Sequence, residues 1–115
     1  MFRVAIIGGE TATEFNIFKQ KCIFYLKNKA KEGGGITILT TGDEYVDKFA
    51  KQFNIDTQFF ISNWKLYGKN ALKKRNEELL EKCDALIYFN DGIKDNKMIY
   101  DLAQKFGIST RIVNL

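Results

Sequence analysis

Residues 2–15 read FRVAIIGGETATEF. The apolar run Phe2 to Ile7 breaks at Gly8-Gly9 and gives way to a helical pattern, the form of a buried parallel strand feeding a helix. The same alternation continues outward from it. Phe15, Phe18, Cys22 and Tyr25/Leu26 recur at helical spacing between Glu14 and Lys31, and Gly33-Gly34-Gly35 ends that helix. Ile36 to Thr40 (ITILT) predicts a second strand, and Val46, Phe49, Ala50 and Phe53 a short helix at i, i+3, i+4, i+7. Thr57 to Ile61 predicts a third strand, followed by a loop through Trp64 and one long helix from Tyr67 to Cys83. Ala85 to Phe89 predicts a fourth strand. Met98/Ile99, Leu102/Ala103 and Phe106 predict a last helix, and Thr110 to Val113 a fifth strand.

Five apolar strands alternating with four helices predict an α/β fold: one Rossmann-like three-layer sandwich over residues 1–115, with right-handed crossovers. The expected five-stranded parallel sheet has the order 3-2-1-4-5. In such sheets the ligand crevice lies beyond the carboxyl ends of the strands, at the switch point between strands one and four. The loops after strands one to four, Gly8–Thr13, Thr40–Asp43, Ser62–Lys69 and Asn90–Asn96, are expected to converge there.

Composition narrows the chemistry. The chain has no histidine, which removes Ser-His-Asp and Cys-His pairs, an imidazole base and His-containing zinc sites. Its two cysteines, Cys22 and Cys83, fall in helical apolar stripes and read as buried, reduced thiols. No metal site and no cofactor is implied. No apolar run approaches the roughly 20 residues of a membrane-spanning helix, and the N-terminus has no secretory pattern, so a cytoplasmic protein is expected. The net charge of +4 reflects a lysine excess, a weak argument for a polyanionic partner because AT-rich codons produce the same bias.

The candidate residues lie in the four loops. Gly8, Gly9 and Thr11 offer close backbone approach, helix-start amides and a hydroxyl to an anion; a tight turn with a threonine cap is the plainer reading. Thr41 and Gly42 repeat the theme, with Asp43 placed to cap the next helix. Asp47 lies off its helix's apolar stripe, either solvated or directed at the crevice. Trp64 either caps the core or presents a stacking face to a base. Arg75 and Asn76 fall on the apolar stripe with Leu72 and Leu79, where a guanidinium needs a partner. That partner is an anionic ligand or a structural carboxylate such as Asp47 or Asp91. Lys65, Lys69 and Lys73 repeat at i, i+4, i+8 and form either a solvated face or part of the charge at the site.

Residues 63–92, NWKLYGKNALKKRNEELLEKCDALIYFNDG, read with the strand and Gly8-Gly9 start, resemble the small SLOG-superfamily proteins of the YspA-like, cpYpsA-related branch, and the resemblance spans nearly the whole chain. The resemblance rests on Trp64, Tyr67, Gly68, Lys69, Ala71, Arg75, Asn76, Asp84, Ala85, Leu86, Ile87, Asp91 and Gly92. It implies a Rossmann-like fold that binds a nucleotide or a nucleotide-derived signal; some wider relatives hydrolyse nucleoside monophosphates and others bind single-stranded DNA. Two loops depart from the family pattern. The second loop reads Thr41-Gly42-Asp43-Glu44-Tyr45-Val46-Asp47 in place of a glycine-rich run, and Ile93-Lys94-Asp95-Asn96 replaces a Ser-x-Gly-Thr run. The glycine-threonine hydrolase signature is absent.

The expectation is therefore a nucleotide-binding module, a sensor or a sequestering protein, with phosphate or ribose at Gly8-Gly9 and Thr41-Gly42. Arg75 and Lys69 would supply charge, Asp47 and Asn76 would bond the sugar, and Trp64 would stack on the base. Two copies sharing a pocket is compatible with so small a domain, although no residue pattern selects it. One alternative is an N-glycosidic hydrolase using Asp47 or Asp91. Another is a single-strand nucleic-acid binder using Lys65, Lys69, Lys73, Lys74 and Arg75.

Overall fold

The computed structural model describes residues 1–115. β1 (Phe2–Ile7), β2 (Ile36–Thr40), β3 (Asp56–Phe59), β4 (Ala85–Asn90) and β5 (Ser109–Asn114) form one sheet in the order β3-β2-β1-β4-β5. Every neighbouring pair is parallel, with Val4 opposite Ile38 on one side and opposite Ala85 on the other. The expected architecture and strand order are both present.

β1 and β4 are apolar at almost every position because both of their faces are covered. Alternate residues of β1 supply two cores. Val4 and Ile6 join Ile38, Ile87 and Phe89 beneath α1 (Phe15–Glu32) and α2 (Glu44–Gln52), which contribute Phe18, Cys22, Leu26, Val46 and Phe49. Ala5 and Ile7 join Leu39, Leu86 and Tyr88 on the opposite face, beneath Leu79 and Leu80 of α4 (Ala71–Lys82) and Ile99 and Ala103 of α5 (Lys94–Lys105). Phe18 stacks on Phe89 with ring centroids 4.6 Å apart, which ties the first helix to the central strands.

Two local expectations are corrected. β3 spans Asp56–Phe59 rather than Thr57–Ile61; Phe60 still donates its N–H to Thr40 O at 2.9 Å, after which the chain leaves the sheet. All four β3 residues are exposed, because this strand forms an edge. The helix predicted over Tyr67–Cys83 is interrupted. A single turn, α3 (Trp64–Tyr67), stops at Gly68, whose φ of 54° is left-handed, and a 3₁₀ turn over Gly68–Asn70 leads into α4.

Both cysteines are buried and free, as expected. Burial pushes the Cys22 thiol up, and burial with the nearby Asp84 charge pushes Cys83 up to about 11, so neither supplies a thiolate nucleophile at neutral pH. No helix is long and apolar enough to cross a membrane.

Candidate functional site

The strand order places the switch point between the carboxyl ends of β1 and β4, and two loop carboxylates meet there. Gly8 donates its N–H to Asp43 Oδ2 at 3.1 Å, and Gly9 donates its N–H to Asp91 Oδ2 at 3.2 Å. Asp91 also accepts from Asn96 Nδ2 at 3.0 Å and, through Oδ1, from the Ile93 N–H at 3.0 Å. Glu10 accepts the Glu44 N–H at 2.8 Å, and the Gly42 N–H is bound to Thr40 Oγ1 at 3.0 Å. The amides that the sequence offers to an anion at Gly8, Gly9 and Gly42 are thus satisfied by the protein's own oxygens.

The glycines follow the same logic. A Cβ on Gly8, where φ is 88°, would lie 2.6 Å from the Phe89 carbonyl oxygen. A Cβ on Gly9 would lie 3.0 Å from the Phe18 ring, and one on Gly42 2.7 Å from the Phe59 ring. The close approach that glycine permits here is to β4, α1 and β3. Thr11 is exposed, in a turn closed by the Thr13 N–H donating to Gly9 O at 3.1 Å; Thr41 is half-buried.

Asp43 is the residue whose role the sequence misassigns. It occupies the cap position of α2 but makes no side-chain cap bond; its carboxylate reaches across to β1 instead. Burial raises its pKa above the ordinary 3.8, opposed by the Gly8 N–H; the Glu10 and Asp91 charges raise it further, and Arg75 lowers it. A carboxyl group with a raised folded-state pKa holds its proton more tightly in the folded protein. Its contribution is therefore fully present below pH 3.8 and is lost as pH rises through the folded value. Asp43→Asn keeps a carbonyl for the Gly8 N–H and removes the charge. We expect the variant to be more stable than the parent at pH 7, by up to about 1 kcal/mol, with the gain vanishing below pH 3.8. Urea unfolding at the two pH values checks this, and a loss of stability at pH 7 would refute it.

Arg75 is half-buried and Asn76 buried, as their place on the helix stripe predicts. Arg75 donates through Nε and Nη2 to Asn76 Oδ1, at 3.2 and 3.1 Å. The structural pair with Asp47 or Asp91, the alternative to an anionic ligand, is not formed; the ion pairs of the chain are Lys29–Glu32 and Lys97–Asp101. Burial lowers the Arg75 pKa, while the fields of Asp95 and Asp43 raise it. No carboxylate is in contact with the guanidinium.

The remaining candidates separate from this group. Asp47 lines a hollow of about 480 Å³ between α2 and β3, with Lys51, Thr57 and Phe59. It does not join Asn76, contrary to the expected pairing around a sugar. Trp64 is 56% exposed, which overturns core capping, and Lys69 is exposed on the 3₁₀ turn. Between α3 and α4, Arg75 shares a hollow of about 230 Å³ with Asn63, Tyr67 and Glu78. The largest hollow, about 550 Å³, lies at the opposite end of the sheet between α1 and α2, against Leu26, Ile36, Phe49 and Phe53. It is apolar and holds none of the candidate residues. No group of side chains is arranged to hold a metal ion.

Comparison of the chain with protein-family models, curated proteins and solved structures finds no match.

Proposed function

We propose that the protein binds a nucleotide or a nucleotide-derived signalling molecule at the carboxyl ends of β1 and β4, as a sensor or sequestering module. The observation that carries this reading is Arg75. A half-buried guanidinium, braced by Asn76 and without a carboxylate in contact, lines a hollow with Asn63 and Tyr67 in the segment that follows β3. Its planar fork suits a phosphate, and Lys69 adds charge from the adjoining turn. The SLOG-like motif from Trp64 to Gly92 supports the same reading.

Binding is favoured over hydrolysis because both candidate catalytic carboxylates are ill placed. Both oxygens of Asp91 accept backbone or amide N–H groups, and Asp47 lines a separate hollow. Nucleic-acid binding would draw on exposed Lys65, Lys69, Lys73 and Lys74, and would show a steep salt dependence that a small-ligand site lacks.

Titration of the Trp64 fluorescence with nucleoside mono-, di- and triphosphates tests the reading. A saturable change is expected, because the only tryptophan is exposed at the start of the α3 turn. Arg75→Ala is expected to weaken binding by about 1.5–3 kcal/mol, the worth of a hydrogen bond to a charged group. Unchanged affinity in a folded Arg75→Ala protein would remove Arg75 from the site.

A further inference from the structure

β3 is an edge strand that the fold leaves open. We propose that it pairs antiparallel with β3 of a second copy of this chain, so that one sheet runs through both copies and Asp47 of each α2 meets Lys51 of the other. This inference is independent of the nucleotide-binding reading.

The backbone sets what this edge can bind. Phe60 donates its N–H to Thr40 O, and successive residues of a strand turn their backbone groups to opposite sides. Thr57 and Phe59 therefore direct their N–H and C=O groups away from β2, where no further strand receives them. Sheets ordinarily protect such an edge with lysine, proline, a bulge or a covering segment. β3 has none of these: it reads Asp-Thr-Gln-Phe, pairs one-to-one with β2, is exposed throughout, and carries its one charge at its first residue. The opposite edge differs, since exposed Arg111 stands in the middle of β5. Phe59 adds apolar surface to the open edge, being 56% exposed.

Charge selects the occupant. The hollow beside the edge is lined by Asp47 and Lys51 of α2 together with Thr57 and Phe59, the residues whose backbone groups point outward. An acidic residue four positions before a lysine is the favoured order for a pair within one helix. These two nevertheless do not pair; the ion pairs of the chain lie elsewhere. In a parallel sheet the crossover helix runs opposite to its strands, which puts Asp47 toward the Phe59 end of β3 and Lys51 toward the Thr57 end. A two-fold axis through Gln58, perpendicular to the sheet, sets Thr57 opposite Phe59 of the other copy, and the two exchange both backbone hydrogen bonds. The same axis keeps both α2 helices on one face and brings Asp47 against Lys51 of the other copy. A partner of different sequence would have to supply both signs in that order. A second copy supplies them by symmetry.

Sedimentation equilibrium of the full chain tests this. The parent protein is expected to sediment at twice the mass of one chain. Thr57→Pro removes an N–H that β2 does not use and should give a monomer. Asp47→Lys or Lys51→Asp alone sets like charges against each other at both contacts, and each should raise the dimer dissociation constant about tenfold or more. An equimolar mixture of those two variants sets opposite charges together again and should recover the dimer, which provides a second arm should Thr57→Pro misfold. A parent protein that stays monomeric at millimolar concentration would overturn the proposal. So would a dimer indifferent to Thr57→Pro and to both charge reversals, because it must form through another face. A mixture no more dimeric than its two components would overturn it as well.

Discussion

Gly8→Ala is expected to destabilise the protein by about 3–5 kcal/mol, at the upper end of single-residue effects. Two costs combine. The residue has a φ of 88°, a conformation that costs a non-glycine residue roughly 1–3 kcal/mol. In addition, the new methyl group would stand 2.6 Å from the Phe89 carbonyl oxygen and 3.0 Å from Asp91 Oδ2. The carbonyl belongs to a central strand that cannot withdraw without disturbing its pairing with β1 and β5. Gly34→Ala is the control. It has a φ of 79° but nothing within 4 Å of the added Cβ, so the conformational cost remains alone, about 1–2 kcal/mol. Chemical denaturation of the two variants separates clash from strain, and equal losses would show that the approach of β1 to β4 is not what requires Gly8.

The second large effect is expected at Asp91, where Ala should cost about 2–4 kcal/mol through the loss of several charge-assisted bonds. Asn is expected to be little better. Asp91 Oδ1 accepts from Ile93 and Oδ2 from Gly9 and Asn96, so either orientation of an amide would point its NH₂ at a backbone N–H. The side chain joins the turn after β1 to the start of α5, and both variants should loosen that junction. Amide hydrogen exchange would report it as faster exchange at Gly9 and Ile93. Parental stability in Asp91→Asn would mean that relief of repulsion between Asp91 and Asp43 outweighs the lost acceptor.

The glycine turn also marks where sequence reading reached its limit. That Gly8 and Gly9 end a buried strand is visible in the pattern, as is the burial of Asn76 on a helix stripe three residues before Leu79. Those are properties of local spacing, and burial enforces spacing strongly. The partners of the Gly8 and Gly9 amides are not local: Asp43 lies 35 residues and Asp91 82 residues along the chain from them. A short carboxylate at a helix start ordinarily caps its own helix, and nothing near Asp43 indicates that it reaches across to β1 instead.

What the sequence by itself determined is the alternation of strand and helix, the two-faced cores, the order of the strands and the face on which Arg75 and Asn76 lie. Those follow from apolar periodicity and from the handedness of crossovers, which leave few ways to wind five parallel strands. Only the tertiary structure decided that carboxylates hold the glycine turn, that Arg75 lacks a carboxylate in contact, that Asp47 stands apart, and that Trp64 is exposed on a broken helix. Those depend on distances of a few ångströms between segments remote in sequence, and hydrogen-bond and charge energies change over such distances while hydrophobic patterning does not.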